Sequence, residues 1–215
     1  MNRDLKRIRD ARYRFNKRIR ASNAAFKAMS PAEKRVQIAK DVLMSLDTGK
    51  LEPVNGSYML VELPKYTHMQ DSDTWETYDA RQTAFKDLDA REQLLTGTIS
   101  CSVCAIGAVF TCAVQRQNEL TVAELQASRR GMVEYLQGSF SAVQLDLIEC
   151  AFERTRDNMR CDATPYTDAR LAEKFGHSVH NSWLDAPHDA RGGLASCLMR
   201  AIMENIVANE GAFVP

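Results

Sequence analysis

The sequence lacks any long run of apolar residues. No stretch reaches the roughly 18 uninterrupted apolar residues that a membrane-spanning helix needs, so we expect no transmembrane segment. The N-terminus also lacks the apolar segment and small-residue cleavage site of a secretory signal. We therefore expect the protein in the cytoplasm.

Several common catalytic motifs are also missing. There is no Walker loop and no GxGxxG fingerprint, and the nearest match to the GxSxG nucleophile turn, GGLAS at 192–196, does not fit it. The chain has no internal repeat and no low-complexity tract. Its 215 residues suffice for one good hydrophobic core. These absences favour a single domain without nucleotide-binding or hydrolase signatures.

Charge is present in balance but is unevenly distributed. Residues 1–20 contain nine basic and two acidic side chains, a net charge of +7, whereas the remaining chain carries −7. From Leu5 to Met29, apolar residues recur at three-four spacing, with interruptions at Arg12 and Ser22. The pattern predicts a basic amphipathic helical arm over residues 1–28, attached to an acidic helical core domain over residues 30–215.

The arm is the strongest candidate binding element. Its cations could neutralise nucleic-acid phosphates, and Tyr13 could stack on a base. They could equally contact an acidic protein, anionic lipid or the acidic body of the chain itself. The candidate binding residues are Arg3, Lys6, Arg7, Arg9, Tyr13, Arg14, Lys17, Arg18 and Arg20.

The rest of the chain predicts a mainly α fold with one short β-hairpin and a projecting basic N-terminal helix. Ser30, Pro31 and Glu33 are typical of a capped helix start, and Asn55-Gly56 is typical of a hairpin turn. Residues 64–78 show no period and predict a surface loop, a candidate lid. Further helices are predicted at 80–95, 100–115, 122–137, 142–156, 165–175 and 190–210.

The six cysteines are expected to be reduced in a cytosolic protein. Three of them lie in CSVCAIGAVFTC (101–112), which predicts a tightly packed central helix that begins at Ser100. Two alternatives stay open: a Cys101-x-x-Cys104 redox pair, or a zinc site completed by His177 and His180. The remaining cysteines, Cys150, Cys161 and Cys197, have no close partner in sequence and are interpreted as structural.

A row of acidic residues forms a further candidate. Asp146, Glu149 and Glu153 share one face of a predicted helix and could hold a cation or act as acid and base. The opposite face is apolar, so the row also fits the solvated side of an amphipathic helix. We favour the second interpretation and expect no metal and no cofactor.

Four segments resemble a family of small proteins encoded by tailed bacteriophages. They are RVQIAKDVLMSLDTGKL (35–51), CSVCAIGAVF (101–110), FSAVQLDLIECAFE (140–153) and MRAIMENIVANEGAFVP (199–215), and they include the patterns CxVCAxGA and IMxNIxxNxGxFxP. The resemblance leaves the basic arm outside. It implies a phage accessory protein in the cytoplasm of the infected bacterial host, and it supplies no catalytic residues.

Together these features favour a non-enzymatic binding protein. Its arm would contact a polyanionic partner, nucleic acid first and an acidic host protein second, in host takeover or defence inhibition. The alternative is an enzyme or small-ligand sponge with a pocket near Cys101 and Cys104, zinc-dependent in one version. Self-association through the apolar seam of the arm, giving a homo-oligomer, is a third hypothesis.

Overall fold

The computed structural model describes residues 3–54, 57–117, 120–153, 166, 169–170, 173 and 188–215; side chains are not described at 3–12, 15–16 and 188–192. The fold is mainly helical, as predicted, with a small three-stranded sheet. The helices are α1 (Arg3–Ala28), α2 (Pro31–Asp47), α3 (Trp75–Lys86), α4 (Ala90–Thr96), α5 (Ala105–Gln117), α6 (Val122–Leu125), α7 (Arg129–Leu136), α8 (Ala142–Glu153) and α9 (His188–Ala208). The strands are β1 (Leu51–Pro53), β2 (Met59–Glu62) and β3 (Ser100–Val103).

Helix α5 is the centre of the core. Every residue from Ala105 to Val114 is buried, and α1, α2, α4, α7 and α8 all pack against it. Its alanines and Gly107 keep its surface narrow, which allows several neighbours to approach closely. The N-terminal helix and the sheet are therefore both attached to the same central element.

Several helix ends follow from local capping. Ser30 Oγ accepts a hydrogen bond from Glu33 N, and Ser30 N donates to Glu33 Oε2 at 2.8 Å, which confirms the predicted capping box of α2. Gly97 ends α4 with a φ of +71°, in the left-handed region. The segment predicted as one helix at 80–95 contains the end of α3 and the whole of α4 up to residue 95. The two are separate because Asp89 caps the start of α4, where its side chain accepts a hydrogen bond from Glu92 N.

The predicted hairpin is wrong. Strand β3 lies between β1 and β2, parallel to β1 and antiparallel to β2, so the first two strands are not neighbours. Asn55 and Gly56 lie outside the described residues. The third strand comes from Ser100–Val103, which the sequence pattern assigned to a helix.

Two other predictions concern the segments 165–175 and 64–78. The predicted helix at 165–175 falls almost entirely outside the described residues, as do His177, His180 and Cys161. The predicted loop at 64–78 contains a short 3-10 helix (Lys65–Thr67) and leads into α3 at Trp75. Arg81 orders this loop, since its guanidinium pairs with Asp73 and also donates to the His68 carbonyl at 2.9 Å.

Candidate functional site

The middle of α1 presents basic side chains to solvent. Arg14, Lys17, Arg18 and Arg20 are exposed, and Tyr13 is 67% exposed. The backbone of Arg3, Lys6, Arg7 and Arg9 belongs to the same helix, but their side chains lie outside the described set. The structure thus places five of the nine candidate binding residues at the surface of one helix.

These exposed cations are not neutralised by the described part of the protein. The ion pairs found among the described residues involve Arg81, Arg116, Arg129, Arg130, Arg170 and Arg200, and none of them involves Arg14, Lys17, Arg18 or Arg20. An unpaired guanidinium or ammonium group at the surface keeps its full capacity to bind an anion. The charges of Arg14, Lys17, Arg18 and Arg20 are therefore exposed without a counter-charge among the described residues.

The C-terminal part of α1 is attached to the core. Phe26 is 1% exposed and belongs to the main hydrophobic cluster, and Lys34 lies over its ring with the ammonium 5.9 Å from the centroid. Ser22 Oγ accepts a hydrogen bond from Arg116 Nη1 at 3.1 Å. We refer to Ser22, Asn23 and Phe26 as the anchor of α1.

An ion pair between the buried Asp41 and the partly buried Arg116 supports the anchor. Arg116 on α5 binds Asp41 on α2 through two hydrogen bonds of 2.6 Å, from Nε and from Nη2. The Asp41 side chain is 7% exposed, and Gln37 Nε2 donates to its Oδ1 at 3.0 Å. Because both carboxylate oxygens are bound, the pair holds α2 and α5 together and leaves Nη1 of Arg116 for α1.

A second arginine contacts the anchor from α4. Arg91 is 4% exposed and donates from Nη1 to Asn23 Oδ1, whereas its buried Nε has no hydrogen-bond partner. Burial lowers the pKa of Arg91, the charge of Asp89 raises it, and the charge of Arg116 lowers it again. Two arginines therefore fix the same turn of α1.

Sequence reasoning missed Asp41, Arg91 and Arg116 as determinants of this site. The one local signal is the interruption of the apolar seam of α1 at Ser22, which coincides with the polar part of the anchor. The partners lie 94 and 68 positions away along the chain. No sequence pattern of short range connects residues at such separations.

The thiols are enclosed in the core. Cys101, Cys104, Cys112 and Cys197 are all buried, and the first three carry free thiols, which agrees with the packing interpretation. Burial raises the pKa of both Cys101 and Cys104 to about 12, although Gly107 N donates to Cys104 Sγ at 3.5 Å. Burial disfavours the thiolate form, so these two thiols are poor nucleophiles.

The expectation of uniformly reduced thiols does not hold at Cys150, which is disulfide-bonded. The zinc hypothesis requires histidines outside the described residues. Within the described ranges, no group of three or more His, Cys, Asp or Glu side chains could hold a metal ion.

The acidic row on α8 is largely paired. Arg129 Nε donates to Glu149 Oε2 at 2.7 Å, and its Nη2 pairs with Asp146. Burial raises the pKa of Tyr58 beside this cluster, and the hydrogen bond and charge of Glu149 raise it further. Charges compensated in this way fit the solvated side of an amphipathic helix better than a cation site.

None of the helices in the described ranges combines the length and apolar character needed to cross a bilayer. Comparisons of the chain with protein-family models, with curated proteins and with solved structures found no match. The candidate site is therefore defined by geometry and charge alone: a basic helical surface fixed to the core by its own C-terminal turns.

Proposed function

We propose that the protein is a non-enzymatic binding protein whose basic N-terminal helix projects from a single helical domain and contacts the phosphate backbone of nucleic acid. The observation that carries this proposal is the set of exposed, unpaired cations at Arg14, Lys17, Arg18 and Arg20. In the setting suggested by the sequence resemblance, the protein would act as a phage accessory factor inside the infected bacterium.

The spacing of the cations supports backbone contact. Lys17 and Arg18 lie three and four positions after Arg14, which brings both side chains near that of Arg14 on one side of the helix. A row of cations along a helix can follow a row of phosphates without reading bases. Tyr13, 67% exposed, offers a ring for stacking on an unpaired base.

The anchor supports the same role. Asn23 is hydrogen-bonded to the buried Arg91 and Ser22 to the partly buried Arg116, and Phe26 is held in the core. A helix that is fixed at one end loses less conformational freedom on binding than a disordered basic tail, so less of the interaction energy is offset by ordering. The core then serves as the support of the binding helix.

The test is a salt titration of binding to a labelled 20-base-pair DNA duplex, followed by fluorescence anisotropy. We expect log K to fall linearly with log salt. The triple variant Arg14→Gln, Lys17→Gln, Arg18→Gln should bind more weakly and should lower the slope by about 2 to 3, since each lost phosphate contact contributes about 0.9.

The matched control neutralises three exposed lysines of the acidic body, Lys40, Lys50 and Lys86, which make no ion pair among the described residues. It changes net charge by the same amount, so unchanged binding in the control assigns the effect to α1. Equal losses in both variants, or binding that does not respond to salt, would contradict the proposal. Polyglutamate that competes as well as DNA would instead identify an acidic protein as the partner.

A further inference from the structure

Strand β2 lies at an edge of the sheet, and its pairing with β3 fixes which of its backbone N–H and C=O groups face away from the sheet. Tyr58 O accepts a hydrogen bond from Cys104 N at 3.2 Å, in the same antiparallel register that pairs Met59 with Val103. Hydrogen-bonded and non-hydrogen-bonded pairs alternate in such a ladder. Leu60 and Glu62 therefore bond to β3, and Met59 and Val61 direct their N–H and C=O groups outward.

The central strand confirms this assignment. Val103, which is opposite Met59, directs its carbonyl away from β2 and accepts a hydrogen bond from Val54 N at 2.9 Å on the β1 side. Among the described residues, no group bonds to the outward amides and carbonyls of Met59 and Val61. An edge of this kind is a template for another strand.

Neither proline nor lysine protects this edge. The residues of β2 are Met59, Leu60, Val61 and Glu62, and Leu60 is 57% exposed. At the opposite edge, β1 contains Pro53 and packs against α2 and α9. Only the β2 edge thus combines free backbone groups with an exposed apolar side chain, among the strands that the structure describes.

We propose that the β2 edge pairs with the β2 edge of a second copy of this chain, in antiparallel orientation, with Leu60 opposite Leu60 of the partner subunit. In this register Met59 lies opposite Val61 of the partner subunit, so the outward groups of both strands bond to each other. Leu60 forms a non-hydrogen-bonded pair with its equivalent, at a Cα separation of about 4.5 Å, where side chains approach most closely. The three-stranded sheets of two copies then form one continuous sheet.

The identity of the occupant follows from self-complementarity. The register sets the exposed Leu60 against itself and sets Glu62 against Tyr58 of the partner subunit, so the two Glu62 carboxylates are not opposite each other. Like charges placed directly across a strand pair would be destabilising, and an apolar pair is stabilising. Because β2 is only four residues long, we expect the dimer to depend on protein concentration. This inference is independent of the proposed function of α1.

The first test measures molar mass by light scattering and sedimentation velocity over a range of protein concentrations. The wild-type chain should shift from monomer to dimer as concentration rises. Leu60→Lys should stay monomeric, because two ammonium groups would face each other at the symmetry axis. The matched control is Met44→Lys on α2, where an equally exposed apolar side chain, at 58%, becomes lysine and the dimer should persist.

A charge-pairing experiment gives a result that loss of folding cannot mimic. Leu60→Glu alone should be monomeric, whereas an equimolar mixture of the Leu60→Lys and Leu60→Glu proteins should form heterodimers. In addition, Val61→Pro should abolish dimerisation, since proline removes an outward N–H without removing a bond to β3. Val61→Thr keeps that N–H and should leave the dimer intact.

Three results would overturn the inference. A wild-type chain that stays monomeric at all concentrations has no such interface. A dimer that survives Leu60→Lys but is lost in the triple α1 variant assembles through the arm. A mixture of the lysine and glutamate variants that stays monomeric places Leu60 away from the symmetry axis.

Discussion

Gly107 controls the contact between the sheet and the central helix. A Cβ built on this residue would lie 2.0 Å from Tyr58 O, the same carbonyl that accepts a hydrogen bond from Cys104 N. Backbone cannot yield as a flexible side chain can, so any substitution must separate β2 from α5. The absence of a single side chain therefore fixes the position of the edge strand.

We expect Gly107→Ala to lower the free energy of unfolding by about 3 kcal/mol, the size typical of overpacking in a core. Urea unfolding measures the change. Gly138→Ala is the control, because a Cβ there would meet nothing within 4 Å and the residue does not have a positive φ. That variant should unfold within about 0.5 kcal/mol of wild type. Equal stability of the two variants would show that Tyr58 can move away at little cost.

Because of the buried thiols, we expect the free energy of unfolding to decrease at alkaline pH. The pKa of Cys101 and of Cys104 rises from an ordinary 9.0 to about 12 in the folded chain. Between these values the unfolded chain loses the thiol proton and the folded chain keeps it, so stability is full below pH 9 and falls as pH rises towards 12. At pH 10 each thiol should lower the free energy of unfolding by roughly 1 kcal/mol.

Guanidinium unfolding at pH 8 and at pH 10 tests this pH dependence. The variant Cys101→Ala, Cys104→Ala removes both groups and should lose less stability between the two pH values than wild type. The comparison cancels the titration of lysines and tyrosines, which the two proteins share. An identical pH dependence would mean that both thiols ionise in the folded protein.

At the scale of elements, the junction of α1, α2 and α5 depends on one ion pair. Arg116 donates hydrogen bonds to both carboxylate oxygens of the buried Asp41 and a third to Ser22 Oγ. If the guanidinium is removed, a carboxylate with 7% exposure loses its counter-charge. Breaking a buried pair from one side is more costly than replacing both partners.

Arg116→Met should therefore destabilise the protein by about 3 kcal/mol. The thermal midpoint should fall, and α1 should become more accessible to limited proteolysis near Ser22. Arg130→Met removes a surface pair with Glu134 whose arginine side chain is 89% exposed, and it should cost at most about 0.5 kcal/mol. If the two variants were equally stable, the buried pair would not support the anchor.

The sequence predicted the elements whose signals are local. Ser30 and Glu33 fix the start of α2 within four residues of each other, and Gly97 ends α4. Strand pairing was not predictable in this way, because β3 enters between β1 and β2 from a position about fifty residues along the chain. The segment Ser100–Val103 was assigned to a helix because Ser100 can act as a helix cap and because Cys101 and Cys104 continue the three-four spacing of the residues that follow.

In the candidate site, too, the features with local sequence signals were predictable and the long-range contacts were not. Net charge and spacing identified the basic residues of α1, since both are properties of a continuous segment. The anchor could not be identified, because Arg91 and Arg116 reach Asn23 and Ser22 only after the whole core has formed. A long-range contact made by single polar side chains leaves no periodic trace in the sequence.

At the scale of the whole molecule, the positive charge of α1 and its contacts with the core lie in two different segments of the helix. The charge of +7 is contained in residues 1–20, whereas the contacts of Ser22, Asn23 and Phe26 with the core follow directly after them. The basic segment and the structural segment are therefore adjacent parts of one helix. Truncation can remove the basic segment alone or both segments together.

Two truncations separate them. Replacing residues 1–20 with a single methionine should leave the free energy of unfolding within about 1 kcal/mol of wild type, because the anchor remains. Removing residues 1–28 also deletes Phe26, whose side chain is 1% exposed, and should cost about 3–5 kcal/mol, as for loss of a buried phenylalanine. Urea unfolding of both proteins gives the two values. Equal stability of the truncated proteins would mean that the last turns of α1 contribute nothing to the core, and a large loss in the shorter truncation would mean that the basic residues are part of it.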